Sequence, residues 1–406
     1  MKKCIVFLLA ALMAIIPLAA SAEVSLTMGS WRADDVQQMN NLLALYKEKT
    51  GVEIVFQPID PPQYNTILRQ YLEGGIGPDL MYARSYAPGR ENYNAGYFFD
   101  CSDIPGLKDN FTPSSLEPWQ NADGTMFAVP FAAVSHSVYY NQNLFDEHNL
   151  AVPATWEEFI AVCEALKAAG ITPLANGIAD NWDILEVAFL NMLPNYVGGA
   201  AERALYESGE KPLNDEAFVM AYTDFASLAP FLDPGFSAIT YNDSQVMFAT
   251  ERAAMFMDGS WTCGTYDDVY FEWSVFAVPA REGSETRICF HPDMAITMNN
   301  ATEHPEEAQA FLAWLCSVEG ATEASKVLPA GFFPMINAAI TIDEPHANAI
   351  LALNEGKQTD ARFVWPVYLD LYMPMLEQLN ALLKGETTPQ AAADFVNSLV
   401  QPASAQ

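Results

Sequence analysis

Strands and helices alternate from the start of the folded chain. Segments 23–28, 52–59 and 80–83 each have the apolar character of a strand. Between the first two, apolar residues recur at helical spacing until Gly51, and a second helix is predicted over 64–72. A β-α-β-α-β order implies a mostly parallel sheet with helices on its faces. The sequence therefore predicts an α/β fold.

The same alternation returns further along the chain. Thr155 and Glu158 form the pattern of a capping box before a helix over 156–169. Pro305 predicts another helix start, with Gly320 just past the end of that helix. Without the first 22 residues, 384 of the 406 remain, which is too long for one compact core. We expect two α/β lobes joined by ordered crossings.

The N-terminus has the pattern of a signal peptide over residues 1–22. Two lysines precede an apolar stretch from Ile5 to about Ala19, and a small-x-small cleavage pattern follows at 20–22. A membrane anchor is the alternative, but the apolar run is short for a span of about 20 residues. Because Cys4 precedes the apolar stretch, it cannot be a lipobox cysteine. We expect a periplasmic or secreted protein without a lipid anchor.

Charge excludes one class of partner. The chain has 51 acidic and 19 basic residues, a formal net charge of −32, which repels nucleic acids and anionic lipids.

Five cysteines lie beyond the signal: Cys101, Cys163, Cys263, Cys289 and Cys316. Because their number is odd and they lack a CxxC pair, at least one thiol is free. One bridge, such as Cys263 to Cys289, is compatible with the sequence. No linear metal-binding spacing is present, so no metal site is predicted.

Catalytic motifs are absent, whereas aromatic residues recur at strand ends. The sequence contains no GxSxG, HExxH or phosphate-binding glycine motif, and neither an enzyme nor a cofactor is predicted. Sugars present apolar faces that stack on aromatic rings and hydroxyl groups that bind polar side chains. The aromatic residues that follow strands or lie in loops are Trp31, Tyr64, Tyr82, Tyr86, Trp119, Trp182, Trp261 and Trp365.

Segment 124–177 carries motifs of a known family. They are Phe127-Ala-Val-Pro130, Tyr140-Asn141, Leu144-Phe145, Pro153 to Phe159 and Gly170 to Pro173. Three further stretches agree in order: GIGPDLMYA, FATERAAMFMDGSW and LLKGETTPQAAADF. With these motifs the chain resembles the family 1 extracellular solute-binding proteins of ABC importers, the carbohydrate-uptake group like maltose-binding protein. One departure is Glu251, where that family usually has a glycine in a turn.

The resemblance implies a two-lobed periplasmic-binding-protein fold of type II, with hinge strands between the lobes. The first lobe would comprise 23–132 plus 283–333, and the second 133–282 plus 334–406. A monomer would bind a mono- or short oligosaccharide between the lobes and close like a Venus flytrap. The closed form would deliver the sugar to the ABC permease in the membrane.

The resemblance also carries candidate ligand contacts where the motifs fix the alignment. The turns after the first and third strands contribute Trp31, Arg32, Arg84, Ser85 and Tyr86. The remaining candidates come from the hinge strand, from the segments after the later strands and, at looser spacing, from the C-terminal region: Ser135, His136, Asp180, Trp182, Trp261, Asp293 and Trp365. His291, beside Asp293, is a weaker candidate.

Two alternatives remain open at the level of sequence. The arginines would suit an anionic solute such as a polyol phosphate, and the carboxylates would suit a polyamine. A secreted glycoside hydrolase is the alternative from another class, because the many acidic residues allow pairs of carboxylates. Trp261 is the most specific candidate, because it follows a strand and aligns with a stacking tryptophan of the family.

Overall fold

The computed structural model describes residues 24–400 except 34, 60, 181 and 339. The predicted signal peptide, residues 1–22, lies outside the described residues. Among those that are described, no helix combines the length and apolar character needed to cross a bilayer.

The elements alternate as the sequence predicts. The strands of the described chain are β1 (Ser25–Ser30), β2 (Glu53–Pro58), β3 (Leu80–Ala83), β4 (Val129–Asn141), β5 (Thr172–Leu174), β6 (Ala253–Gly259), β7 (Trp273–Phe276), β8 (Ile288–Met298), β9 (Phe333–Pro334) and β10 (Thr359–Asp360).

The helices lie between and after these strands, and a π-helical segment (Asp183–Phe189) precedes α7. In the described chain they are α1 (Val36–Thr50), α2 (Pro61–Glu73), α3 (Ala87–Asn94), α4 (Pro113–Leu116), α5 (Gln142–Glu147), α6 (Trp156–Ala168), α7 (Leu190–Met192), α8 (Pro194–Val197), α9 (Ala200–Glu207), α10 (Glu216–Ala226), α11 (Tyr241–Ala249), α12 (Pro305–Leu315), α13 (Val318–Val327), α14 (Pro345–Leu353), α15 (Tyr372–Leu383) and α16 (Pro389–Ser398).

The sheet is parallel at its two ends and antiparallel in its middle. β1 pairs parallel with β2 and β3, and β5 pairs parallel with β6. β4 and β8 run antiparallel to each other, and β3, β6 and β7 add to them in antiparallel pairs. The prediction of mostly parallel pairing therefore holds for the outer strands, and in the middle of the described sheet only β10 pairs parallel, with β8. The central strands carry the chain across in opposite directions, which makes their pairing antiparallel.

The described residues form three apolar cores; the smallest includes Tyr139 of β4 and Phe256 of β6, and the two larger ones give the protein its two lobes. One core takes residues from 26–134 and 294–336, and the other takes residues from 138–278 and 363–396. β4, which is buried along its whole length, leaves the first core after Val134 and enters the second at Val138. Ile336 still packs in the first core, slightly beyond the predicted change of lobe at 333/334. The lobe limits themselves stay a prediction.

One local expectation was wrong. The helix that starts at Pro305 ends at Leu315, and Gly320 lies inside the next helix, which Ser317 caps. A Cβ at residue 320 would lie 2.0 Å from the Trp314 carbonyl oxygen, so this glycine permits close contact between α12 and α13. The bridge from Cys263 to Cys289 does not form, because each of the five cysteines in the described chain is free and buried.

Candidate functional site

The first wall of the site is built where β1 and β3 end. Because these strands are parallel neighbours, the residues that follow Ser30 and Ala83 lie at the same edge of the sheet. Trp31 packs edge-on against two buried tyrosine rings, and the Arg84 guanidinium carbon lies 3.8 Å from the centroid of its indole. Arg84 Nε donates to Asn65 at 3.3 Å. The tryptophan thus supports the arginine instead of facing open space.

Tyr86, at the same edge, has an unusual backbone. Its φ of 58° lies in the left-handed region that residues other than glycine rarely adopt. The Tyr86 N–H donates to the Pro118 carbonyl at 2.7 Å, which holds this conformation, and α3 starts at the next residue. Ser85 and Tyr86 are both buried. Strain of this kind is concentrated at functional sites in proteins.

The second wall follows β5 and β6, the other parallel pair. β6 ends at Gly259, and Trp261 lies two residues beyond it. The rings of Trp261 and Trp182 are 6.2 Å apart, and the Tyr241 ring lies 4.0 Å from Trp182. Trp261 Nε1 donates to the Tyr241 hydroxyl at 2.7 Å. The second lobe therefore presents a group of three aromatic rings at its strand ends.

A buried carboxylate orients this aromatic group. The Tyr241 hydroxyl donates to both Asp258 oxygens, at 3.0 and 2.9 Å, and Thr262 donates to the same carboxylate at 2.9 Å. Burial holds the pKa of Asp258 well above its ordinary value. Because its proton is used toward Asp258, the Tyr241 oxygen is free to accept from the Trp261 indole.

Arg362 connects the two lobes electrostatically. Its Nη1 atom lies 2.6 Å from Glu186 and 3.9 Å from Asp293 on β8. Tyr372 also donates to Glu186. The Arg362 guanidinium carbon lies 5.4 Å from the centroid of the Trp261 ring. Arg362 is charged but only 8 % exposed. Loss of one of its carboxylate partners would therefore lower the stability of the protein strongly.

A small cavity lies beside the first wall, on the other side of Arg362 from the aromatic group of the second wall. Its lining comes from the end of β3, from β8 and from the segment after β10: Arg84, Ser85, Tyr86, His291, Asp293, Ala361, Arg362 and Trp365. Within the described chain, three buried atoms beside it lack a hydrogen-bond partner: His291 Nε2, Arg362 Nε and Trp365 Nε1. Such atoms are costly unless a ligand or water binds them. The cavity thus offers polar atoms and an indole together.

Some of the residues predicted from the sequence line the cavity, and others lie next to it. Of the candidates from sequence, the cavity is lined by Arg84, Ser85, Tyr86, Asp293 and Trp365, together with His291. Trp182, Trp261 and His136 lie behind Arg362, with the His136 ring 5.2 Å from Trp261 in an edge-to-face contact.

Three other candidates make contacts within the protein. Arg32 forms an ion pair with Asp35 at 2.6 Å. The Ser135 hydroxyl donates to Asn354 at 3.4 Å, and the Asp180 carboxylate accepts the first backbone N–H of α11 at 2.8 Å. None of these residues, nor Trp31, is in the cavity lining of the described chain. Their role in ligand binding stays a prediction.

Sequence reasoning missed Ala361 and Arg362 of the lining, and Glu186 and Tyr241 behind it. A signal for Arg362 was present, since it is one of only 19 basic residues and stands within the apolar segment 361–368. In so acidic a chain, an arginine that stands among apolar residues is rarely just an exposed residue that keeps the protein soluble. Glu186 and Tyr241 had no such signal in the sequence: Glu186 lies in the π-helical segment Asp183–Phe189, and Tyr241 begins α11.

Sequence comparison identifies related proteins. A family model described as bacterial extracellular solute-binding protein matches residues 30–322. The multiple sugar-binding protein of Streptococcus mutans is 24 % identical over 327 residues, which cover 78 % of this chain and 76 % of that protein. A probable sugar-binding periplasmic protein of Mesorhizobium japonicum is 25 % identical over 214 residues, covering 50 % and 49 %.

Solved structures share the fold over most of the chain. A protein from work on xylan utilization by Caldanaerobius polysaccharolyticus superposes with a TM-score of 0.82 at 18 % identity, covering 93 % of this chain and 100 % of that one. A chitin oligosaccharide binding protein gives 0.79 at 22 % identity, covering 93 % and 98 %. RafE in complex with raffinose gives 0.76 at 21 % identity, covering 92 % and 98 %.

Proposed function

The chain belongs to the bacterial extracellular solute-binding proteins, and on that premise we propose that it binds a carbohydrate between its lobes for uptake by an ABC permease. The single observation that carries the proposal is the cavity. It combines two guanidinium groups, an indole and buried polar atoms without a hydrogen-bond partner. The residues that line it come from chain segments on both sides of the strands that cross between the lobes.

The charges around the cavity favour a neutral, polyhydroxylated ligand. Arg84 and Arg362 are matched by Asp293 and Glu186, so the cluster has no net charge that an anionic or cationic solute would neutralise. Hydroxyl groups both donate and accept, so they can bind guanidinium and carboxylate groups alike.

Closure of the two lobes would follow because each lobe contributes part of the ligand site. Ser85 and Tyr86 extend from the first lobe, whereas Arg362 and Trp365 belong to the segment that packs on the second core. A ligand contacting both sets stabilises the closed form and shifts the open–closed population toward it. The antiparallel strands β4 and β8 would act as the hinge. The names of the sugar-binding relatives support the same solute class.

The family is extracellular, and the finer location is part of the proposal. We infer export through the signal peptide at 1–22, release without a lipid anchor, and action as a monomer that docks on the permease when closed. Mass spectrometry of the exported protein tests the cleavage site, and sedimentation tests the monomer. A mass that retains residues 1–22 would contradict release.

A thermal-shift screen tests the solute. The panel holds mono- and oligosaccharides, polyamines, polyol phosphates and amino acids, because a ligand of the native state raises the Tm by mass action. We expect a sugar to raise the Tm and, in small-angle scattering, to reduce the radius of gyration. A shift by polyamines alone, or turnover of a chromogenic glycoside, would support the alternative solute or a hydrolase.

A pair of variants connects the sugar to the cavity. Trp365→Ala removes an indole that lines it, and we expect affinity to fall by about 10-fold or more, since stacked aromatic rings dominate such sites. Tyr270→Ala removes a fully exposed ring and is the matched control, with affinity unchanged. Equal affinities for the two variants would remove this cavity as the sugar site.

A further inference from the structure

We propose that His136, Cys289 and His291 form a binding site for a thiophilic metal ion such as Zn²⁺. The three side chains share one face of the ladder between β4 and β8. The ladder ends with Val134 opposite His291 and Ser135 opposite Phe290, and His136 and Cys289 are the residues that directly follow on the two strands. Because alternate residues of a strand point to one face, Cys289 and His291 project together toward His136. Their ligand atoms lie within 4.8 Å of one another.

Unpaired polar atoms point to a ligand at this cluster. All three residues are buried, and in the described chain neither His136 nitrogen has a hydrogen-bond partner. His291 Nδ1 donates to the Pro292 carbonyl at 3.1 Å, so Nε2, which has no partner, carries the lone pair. A backbone carbonyl that fixes the tautomer in this way is typical of histidines that bind metal. A sugar in the cavity could reach His291, but His136 and Cys289 are not in its lining.

Metal binding at this cluster involves the proton of the Cys289 thiol. Binding would replace the thiol proton: the divalent ion forms a bond to the sulfur, and one proton leaves to solvent. The site then gains one positive charge.

The donor set selects the class of ion. Two imidazoles and a thiolate favour zinc or copper over calcium or magnesium, which prefer oxygen ligands. Zinc bonds of about 2.0–2.3 Å place tetrahedral ligands roughly 3.3–3.7 Å apart, so the side chains must approach by about 1 Å. The fourth position would be open toward the cavity that His291 lines. An ion there would bridge the two strands that cross between the lobes.

Cobalt(II) is the direct probe. The purified, reduced and chelator-treated protein is titrated with Co²⁺, and we expect a thiolate-to-cobalt charge-transfer band with the visible bands of a tetrahedral site, at one ion per chain. Binding of Co²⁺ should release one proton, and Zn²⁺ should then displace the cobalt without further proton release. Cys289→Ser should abolish the charge-transfer band and weaken Zn²⁺ binding by about 10-fold or more. Cys163→Ser, at a buried free thiol elsewhere, should keep both.

Three results would overturn the proposal. They are the absence of a charge-transfer band in the native protein, its persistence in Cys289→Ser, and its loss in Cys163→Ser. Circular dichroism checks that each variant is folded, and His136→Gln gives a second route, because it keeps the cysteine but should lose the tetrahedral bands. The sugar screen is run in chelator, so a failure of sugar binding and a failure of metal binding are seen separately.

Discussion

The indole of Trp261 lies directly on Gly259. A Cβ at residue 259 would be 2.0 Å from Trp261 Cζ3, a distance that packed atoms do not reach. The indole is fixed there at its other end, where Nε1 donates to the Tyr241 hydroxyl at 2.7 Å. The glycine therefore determines where the tryptophan lies relative to Arg362 and the cavity.

Gly259→Ala should displace the Trp261 ring and weaken ligand binding. The added methyl group forces the indole away from Tyr241 and Arg362, and overpacking of this kind costs about 1–3 kcal/mol of stability. We expect the dissociation constant of the sugar found in the screen to rise about 10-fold, equivalent to about 1.4 kcal/mol. Isothermal titration calorimetry measures this change.

Gly264→Ala is the matched control for that variant. It lies in the 3₁₀ segment Ser260–Tyr266 that directly follows Gly259, and a Cβ there would have its nearest neighbour at 3.9 Å, an ordinary contact. We expect affinity and Tm to stay near those of the native protein. If Gly259→Ala lowers the Tm but leaves affinity unchanged, Trp261 belongs to the core and not to the site.

Much of the framework could be predicted because it depends on local pattern. The turns after β1 and β3 were identifiable as neighbours, since parallel strands end at the same edge, and Arg84 does lie over Trp31. Glu251 stands where the family usually has a glycine, which indicated a turn, and Glu251 does have a left-handed φ of 58°. The family resemblance, which aligns these strand ends, led to six of the eight residues that line the cavity, counting the weaker candidate His291.

The remainder depends on contacts between distant segments. Arg362 meets Glu186 across 176 residues of chain, and no periodicity links the two. The cluster of His136, Cys289 and His291 depends on the register between β4 and β8, which the sequence leaves open, because shifting a strand by one residue turns its side chains to the other face. Linear spacing alone had argued against a metal site.

Arg362→Gln should destabilise the second lobe. Glu186, 7 % exposed, would keep its charge but lose its guanidinium partner, and breaking a buried ion pair costs about 3–5 kcal/mol. The double variant with Glu186→Gln removes both charges and should recover part of the loss. Urea unfolding of the native protein, the single variants and the double variant measures the coupling between the two residues.

Lys326→Gln is the control for that cycle. Its ion pair with Glu323 is exposed to solvent, so we expect a loss of less than about 1 kcal/mol. A loss of similar size for Arg362→Gln would mean that the Arg362–Glu186 pair is effectively solvated, and that it contributes little to holding the cavity.

The pH dependence of stability should depend on Asp183. Burial raises the pKa of Asp183 to about 7, against an opposing effect of hydrogen bonds from Asn176, Gly177 and Ser244. Between the ordinary pKa of about 3.9 and 7 the folded state holds the proton more tightly, so stability falls as pH rises through this window. Relative to Asp183→Asn, the native protein should lose up to about 1.4 kcal/mol per pH unit. Chemical unfolding at several pH values measures this, with the exposed Asp146→Asn as control. Parallel curves for native protein and Asp183→Asn would contradict the shift.

The variants Glu251→Gly and Glu251→Ala should differ in stability because of the backbone conformation at residue 251. A non-glycine residue in the left-handed region costs about 1–2 kcal/mol. Both variants lose the hydrogen bond that Asn141 Nδ2 donates to Glu251 at 3.2 Å, worth about 1 kcal/mol. Glu251→Gly also relieves the strain and should stay close to the native protein, whereas Glu251→Ala keeps the strain and should fall about 1 kcal/mol below it. At the exposed helical Glu164 the order should reverse, since alanine is favoured over glycine within a helix. Urea unfolding of the four variants measures both orders, and the same order at the two sites would show that φ at residue 251 contributes nothing to stability.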